Sequence, residues 1–71
     1  MKFNYSKLRG KIRELYHTET AFARELEISR VSMSAKLSGH VAFTQEEILK
    51  SAKLLNIPDE SFHDFFFSPI S

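Results

Sequence analysis

There is no cysteine among the 71 residues. That absence excludes disulfide staples, thiolate zinc sites and thiol nucleophiles together, and it fits a reducing compartment. No apolar run approaches the roughly 20 residues of a spanning helix, and the amino terminus carries no signal-peptide hydrophobic region. The expectation is a soluble protein of the cytoplasm, away from any membrane. Repeats, linkers and low-complexity segments are missing as well. A chain this short buries one modest core, so it is expected to form a single domain over residues 1–71 with its site on the surface. What is present suits folding: 42% hydrophobic and 27% charged residues argue against disorder.

The net charge of +1 hides a division. Residues 1–40 hold eight Lys and Arg against four Glu, a local +4, whereas residues 41–71 hold two Lys against five acids, a local −3. A basic half suits a polyanionic partner.

Apolar spacing divides the chain into helices. Tyr5, Leu8, Ile12 and Leu15 form one stripe over about residues 5–16, with Asn4 as cap and Lys7, Lys11 and Arg13 on the polar side. Gly10 weakens this helix relative to Ala and is expected where another backbone comes close. A second helix starts after Thr18 and buries Phe22, Ala23 and Leu26. Glu27-Ile28 makes a tight connection, Ser29 caps a third helix over about 30–38, and Gly39 stands where a left-handed residue ends it. In FTQEEI, Thr44 and Glu47 have capping-box spacing, and Phe43 with Ile48 has that of a hydrophobic staple. Helix four then runs over about 45–55 with Ile48, Leu49, Ala52 and Leu55 inward. Pro58, Asp59 and Glu60 read as the first turn of a short fifth helix ending near Asp64. Phe65, Phe66 and Phe67 cannot share one side of a helix, so an extended tail is expected over about 65–71.

A two-helix unit joined by about three residues, set among short helices, has the form of a helix-turn-helix. On a helical wheel Met33 and Leu37 share one side of helix three, with Ile28 preceding them. Val31, Ser34, Ala35 and Ser38 face away, flanked by Arg30 and Lys36. Such a helix fits a major groove roughly 12 Å wide, where Arg forks onto guanine, Ser bonds several base edges, and Val or Ala meets thymine methyls.

The stretch TETAFARELEISRVSMSAKLSG at 18–39, followed by FTQEEILKSAKLLNI, resembles the Cro and CI class of phage repressors and the related XRE-type bacterial regulators. It looks most like the small single-domain regulators of temperate phages of Gram-positive hosts, over about residues 5–67. The resemblance implies an all-α, five-helix lambda-repressor-like domain working in a bacterial host cell. It would bind double-stranded operator half-sites as a homodimer, with helix three reading bases in the major groove. Carried over residue by residue, Arg30, Val31, Ser32, Ser34 and Ala35 would read bases, and Thr20, Ser29, Lys36 and His40 would hold phosphates. Two positions depart from the family pattern. Glu19 stands where Gln is usual, and Glu27 where Gly is usual in the turn.

Those two acids motivate an alternative of another class: an antirepressor that keeps the fold but docks on a phage repressor protein, pairing its acids with the repressor's basic DNA face. Glu19, Glu27, Phe65, Phe66 and Phe67 are the candidate partner or dimer surface, with one or two of the three Phe expected to fold back into the core and any left outside to form the patch. His17, His40 and His63 stand at no ligand spacing, so no metal or cofactor is expected. Ser and Thr lack a neighbouring His and acid in a nucleophile setting, and enzyme activity is not expected.

Overall fold

Side-chain caps set the starts of three helices. In a computed structural model, which describes residues 3–70, α1 spans Ser6–Tyr16, α2 Glu19–Leu26, α3 Arg30–Leu37 and α4 Gln45–Leu54. A 3-10 turn, Asp59–Ser61, leads into α5, Phe62–Phe66. The protein is all-helical, with no strand among the described residues. Thr18 Oγ1 accepts from the Ala21 N–H at 3.1 Å, and Ser29 Oγ from the Ser32 N–H at 3.0 Å. At α4 the capping box closes in both directions, with Thr44 Oγ1 accepting from the Glu47 N–H at 3.1 Å and Glu47 Oε1 from the Thr44 N–H at 2.9 Å. Each bond satisfies an amide that the helix itself leaves without a partner.

Three helices end in the same way. Glu27, Gly39 and Asn56 have φ of 62°, 86° and 56°. The next residue's N–H reaches back five positions in each case: Ile28 to the Ala23 carbonyl at 3.0 Å, His40 to Ala35 at 2.9 Å, and Ile57 to Ala52 at 2.8 Å. These are Schellman closures, which place one residue in the left-handed region. Glycine is free there, whereas Glu27 costs ~1 kcal/mol.

Helix α1 packs on α2 and α5, and α2 packs on α3 and α4. The core they enclose comprises Tyr5, Leu8 and Ile12 of the first segment, Phe22, Ala23 and Leu26 of α2, Met33 and Leu37 of α3, Ala52, Leu55 and Ile57 around the end of α4, and Phe66. The two ends of the chain meet in an isolated antiparallel bridge between Phe3 and Pro69, where the Asn4 N–H donates to the Ser68 carbonyl at 2.6 Å.

Five local expectations need correction. Asn4 acts one residue before the cap position, its Oδ1 accepting from the Ser6 N–H at 2.9 Å. Leu15 is 41% exposed. The inward position falls instead to Tyr16, four residues after Ile12, whose ring lies 5.2 Å from that of Phe22; a 3.6-residue period drifts off a strict alternation of threes and fours. Leu49 is 61% exposed and Ser51 is fully buried, because the inward line of α4 runs through Ile48, Ser51 and Ala52 to Leu55 at its C-cap. Helix α5 continues through Phe65 and Phe66, since Phe62 and Phe66 share a face at a spacing of four and bury together; the extended tail starts only at Phe67.

Finally, Gly10 has no close neighbour: a Cβ built there meets nothing within 4 Å. It therefore costs α1 its conformational freedom without a packing return. Gly10→Ala is expected to stabilise the fold by about 1 kcal/mol, which raises the melting midpoint by about 4–8 °C in a chain of this size. Thermal unfolding followed by circular dichroism tests this, and an unchanged or lower midpoint would contradict the open environment of that position.

Candidate functional site

The α2–α3 pair is held by the left-handed Glu27, with backbone φ 62° and ψ 36°. This turn presses Met33 and Leu37 into the core, half-buries Ile28, and turns the other side of α3 outward. Val31 is 79% exposed, the largest exposure of any large apolar side chain among the described residues. Arg30 and Ser34 are exposed beside it, and Ala35 is half-buried at the foot of the same face. Ser34, Ala35, Ser38 and His40 line one shallow surface with Arg30 and Val31. Four of the five residues expected to read bases, Arg30, Val31, Ser34 and Ala35, are therefore brought together on one face. Ser32 is turned back toward the cap, its hydroxyl accepting from Ser29 Oγ at 3.1 Å.

The residues expected to hold phosphate are dispersed. Thr20 is exposed in the first turn of α2 and borders a cleft with Arg30 and Ser34. The Ser29 hydroxyl is engaged on both sides by Ser32. His40 is exposed, with Nδ1 2.8 Å from Ser38 Oγ. Lys36 requires a correction. It does not flank the outer face but is 7% exposed. Its ammonium donates to Glu47 Oε1 at 2.9 Å and to the Ala42 carbonyl at 3.2 Å, with the Phe43 ring centroid 5.9 Å away. Lys36 follows Met33 by three residues and precedes Leu37 by one, so it borders the buried sector of α3. A long aliphatic stem can lie there if an acid meets its end. Glu47, already fixed by the capping box, is that acid. Burial tends to raise the Glu47 pKa, but the bonds from Lys36 and from the Thr44 N–H, with the lysine charge, outweigh it and hold the carboxyl below its ordinary value.

The two unexpected acids occupy different settings. Glu19 is ion-paired with Arg9 at 3.4 Å and so is turned toward α1. Glu27 stands in the open, with Lys50 Nζ 3.9 Å from its carboxylate. Of the three consecutive phenylalanines, Phe66 is the one that folds back: at 1% exposure it belongs to the core and is removed from the candidate partner surface. Phe65 is half-buried. Phe67 is exposed and meets Phe3 edge-on at 5.8 Å.

Sequence reasoning missed Arg9 and Arg13 as part of this surface. Together with His17 they line the cleft bordered by Thr20, Arg30 and Ser34. Their signal was a spacing of four, 9 and 13, which places both on one side of α1, with His17 following just past its end. No helix among the described residues is long and apolar enough to cross a membrane.

No curated protein matches this sequence. Among solved structures, the chain is similar to the modulator of repression of the temperate bacteriophage TP901-1 from Lactococcus lactis, known from its solution structure. The two share 34% sequence identity over 94% of this chain and 90% of that one, with a TM-score of 0.81. The family model described as "Protein of unknown function (DUF739)" matches residues 1–69, and to that family the chain belongs.

Proposed function

We propose that this chain is a modulator of phage repression that works by binding a repressor protein. The observation that carries this reading is its likeness, in sequence and along nearly the full length of both chains, to a phage modulator of repression. The physical surface agrees with it. The outward side of α3 is short of charge, its middle formed by Val31, Ser34 and Ala35, and Lys36 is withdrawn into an ion pair. Burying an exposed valine stabilises an association by about 1.5 kcal/mol or more, whereas a duplex is held chiefly through phosphates. A repressor covered in this way is removed from its operators or held on them in another state.

Binding to operator DNA as a helix-turn-helix regulator is the second reading, favoured by one observation: Arg30, Val31 and Ser34 stand exposed along a helix that follows a tight, left-handed turn. Calorimetry with the repressor of the same phage genome, beside fluorescence anisotropy with operator-length duplexes at low salt, separates the two. The native chain is expected to bind the repressor, with only weak, sequence-independent attachment to DNA. Val31→Asp is expected to weaken repressor binding by about 10-fold or more, since a buried apolar contact of roughly that worth becomes a desolvated charge. The fold should survive, because an acid in the first turn of a helix suits its positive end. Sequence-selective duplex binding with no repressor association would reject the proposal.

A further inference from the structure

Arg9, Arg13 and His17 of the α1 segment, Glu19 at the head of α2, and Arg30 and Ser34 of α3 line a single open cleft beside the exposed face of α3. Arg9 is occupied by Glu19 at 3.4 Å. Arg13 and Arg30 are both exposed, and neither has a carboxylate within 4 Å among the described residues. Two unpaired guanidinium groups thus border one recess, next to the most exposed valine of the molecule. Positive charge held without an internal partner is an incomplete ion pair, and a planar guanidinium matches a carboxylate through two parallel hydrogen bonds.

The arginines of this cleft, Arg9, Arg13 and Arg30, gather where α1 and the head of α2 meet the start of α3. A helix seated in a major groove has a phosphate strand on each side, and cations near both strands strengthen its hold on a duplex. At the far end of α3 the one cation, Lys36, is committed to Glu47 and the Ala42 carbonyl, and Glu46 and Glu47 follow at the start of α4. The near flank itself contains Glu19. A lopsided arrangement of this kind suits a protein surface carrying one acid beside an apolar patch better than it suits two strands of phosphates.

We infer that the Arg13–Arg30 cleft receives an Asp or Glu side chain of the protein that covers α3, so that one ion pair sets the orientation in which Val31 and Ala35 meet the partner. The inference rests on the repressor reading above and deepens it by naming the chemistry that the partner must present. Association guided by such a pair is salt-dependent, because exposed charges are screened before they meet.

The test measures affinity of the native chain, of Arg13→Gln/Arg30→Gln and of Arg13→Glu/Arg30→Glu for the phage's own repressor at about 50 and about 300 mM salt, with unfolding midpoints recorded for each. Both arginines are exposed, so the midpoints should stay within a few degrees. The neutral double variant is expected to bind about 10-fold more weakly at low salt and with a flattened salt dependence. The reversed variant should bind more weakly still and be rescued by an Asp or Glu→Lys change at one exposed position of the repressor. If Val31→Asp weakens binding while both arginine variants bind like the native chain, the cleft proposal is overturned and the repressor reading stands. If the native chain does not bind the repressor at all, that reading falls first and the cleft proposal with it. Equal loss of both arginine variants on unrelated duplexes, with repressor binding unaffected, would make the cleft a phosphate site and overturn the inference.

Discussion

Phe66→Ala is expected to remove about 3–5 kcal/mol of stability, the cost of truncating a buried phenylalanine and leaving its cavity. Phe66 is 1% exposed in the last turn of α5, with the rings of Phe43 and Phe62 set edge-on at 6.0 and 6.1 Å. Neither ring is free to move into the space, since Phe43 is tied to the entry of α4 by the neighbouring capping box and Phe62 starts the same short helix. A folded domain of 71 residues holds about 4–11 kcal/mol in total, at roughly 0.05–0.15 kcal/mol per residue. The variant should therefore be marginal at 25 °C and largely unfolded at physiological temperature. Urea unfolding measures the loss directly, with Phe65→Ala intermediate and Phe67→Ala smallest. Losses of equal size at 66 and 67 would mean that the tail packs in another way.

The second large effect concerns the ion pair that fastens α3 to α4. Lys36→Met keeps the stem and removes the ammonium, leaving Glu47 with the Thr44 N–H as its remaining hydrogen bond and the Ala42 carbonyl without its lysine donor. Breaking a pair whose side chains are only 9% and 18% exposed should cost about 3 kcal/mol, because a mostly desolvated charge is stranded. Replacing both partners, as Lys36→Met/Glu47→Leu, should recover part of that loss at the expense of the capping box. The pair also sets an acid dependence. The Glu47 pKa is lower in the folded than in the unfolded chain. Its contribution is thus complete above the ordinary glutamate range and disappears as pH falls through the lowered folded value. Unfolding midpoints measured from about pH 7 to about pH 3 should fall more steeply for the native protein than for Glu47→Gln. Parallel profiles would show that this carboxylate carries no linked stability.

These two variants mark where reading along the chain succeeded and where it stopped. The caps Thr18, Ser29 and Thr44 were legible because capping is a relation between residues three apart, and all three close as their spacing implies. The left-handed position at Gly39 was legible for the same reason, a local steric rule. Met33 and Leu37 were placed correctly by period alone. Lys36 was not, since polarity sent it outward while the acid that receives it lies eleven residues away, across a loop. Phe66 needed the fold as well: three adjacent rings must diverge, so one or two turn inward, but the sequence does not say which of them meets Phe43. Arg9 and Arg13 belonged to a visible stripe on α1, and only the packing of α1 against α2 brought that stripe beside Arg30.

By itself the sequence determined an all-helical chain, the start of α2, α3 and α4, the inward anchors of α3 and the outward direction of Val31, Ser34 and Ala35. All of these follow from spacing within one turn or from the 3.6-residue period, which the chain carries wherever it folds. The tertiary structure alone decided that Lys36 is internal, that Phe66 completes the core and that three arginines share one cleft. Each of those depends on what another helix presents across a gap, and that is fixed by packing rather than by neighbours in the chain.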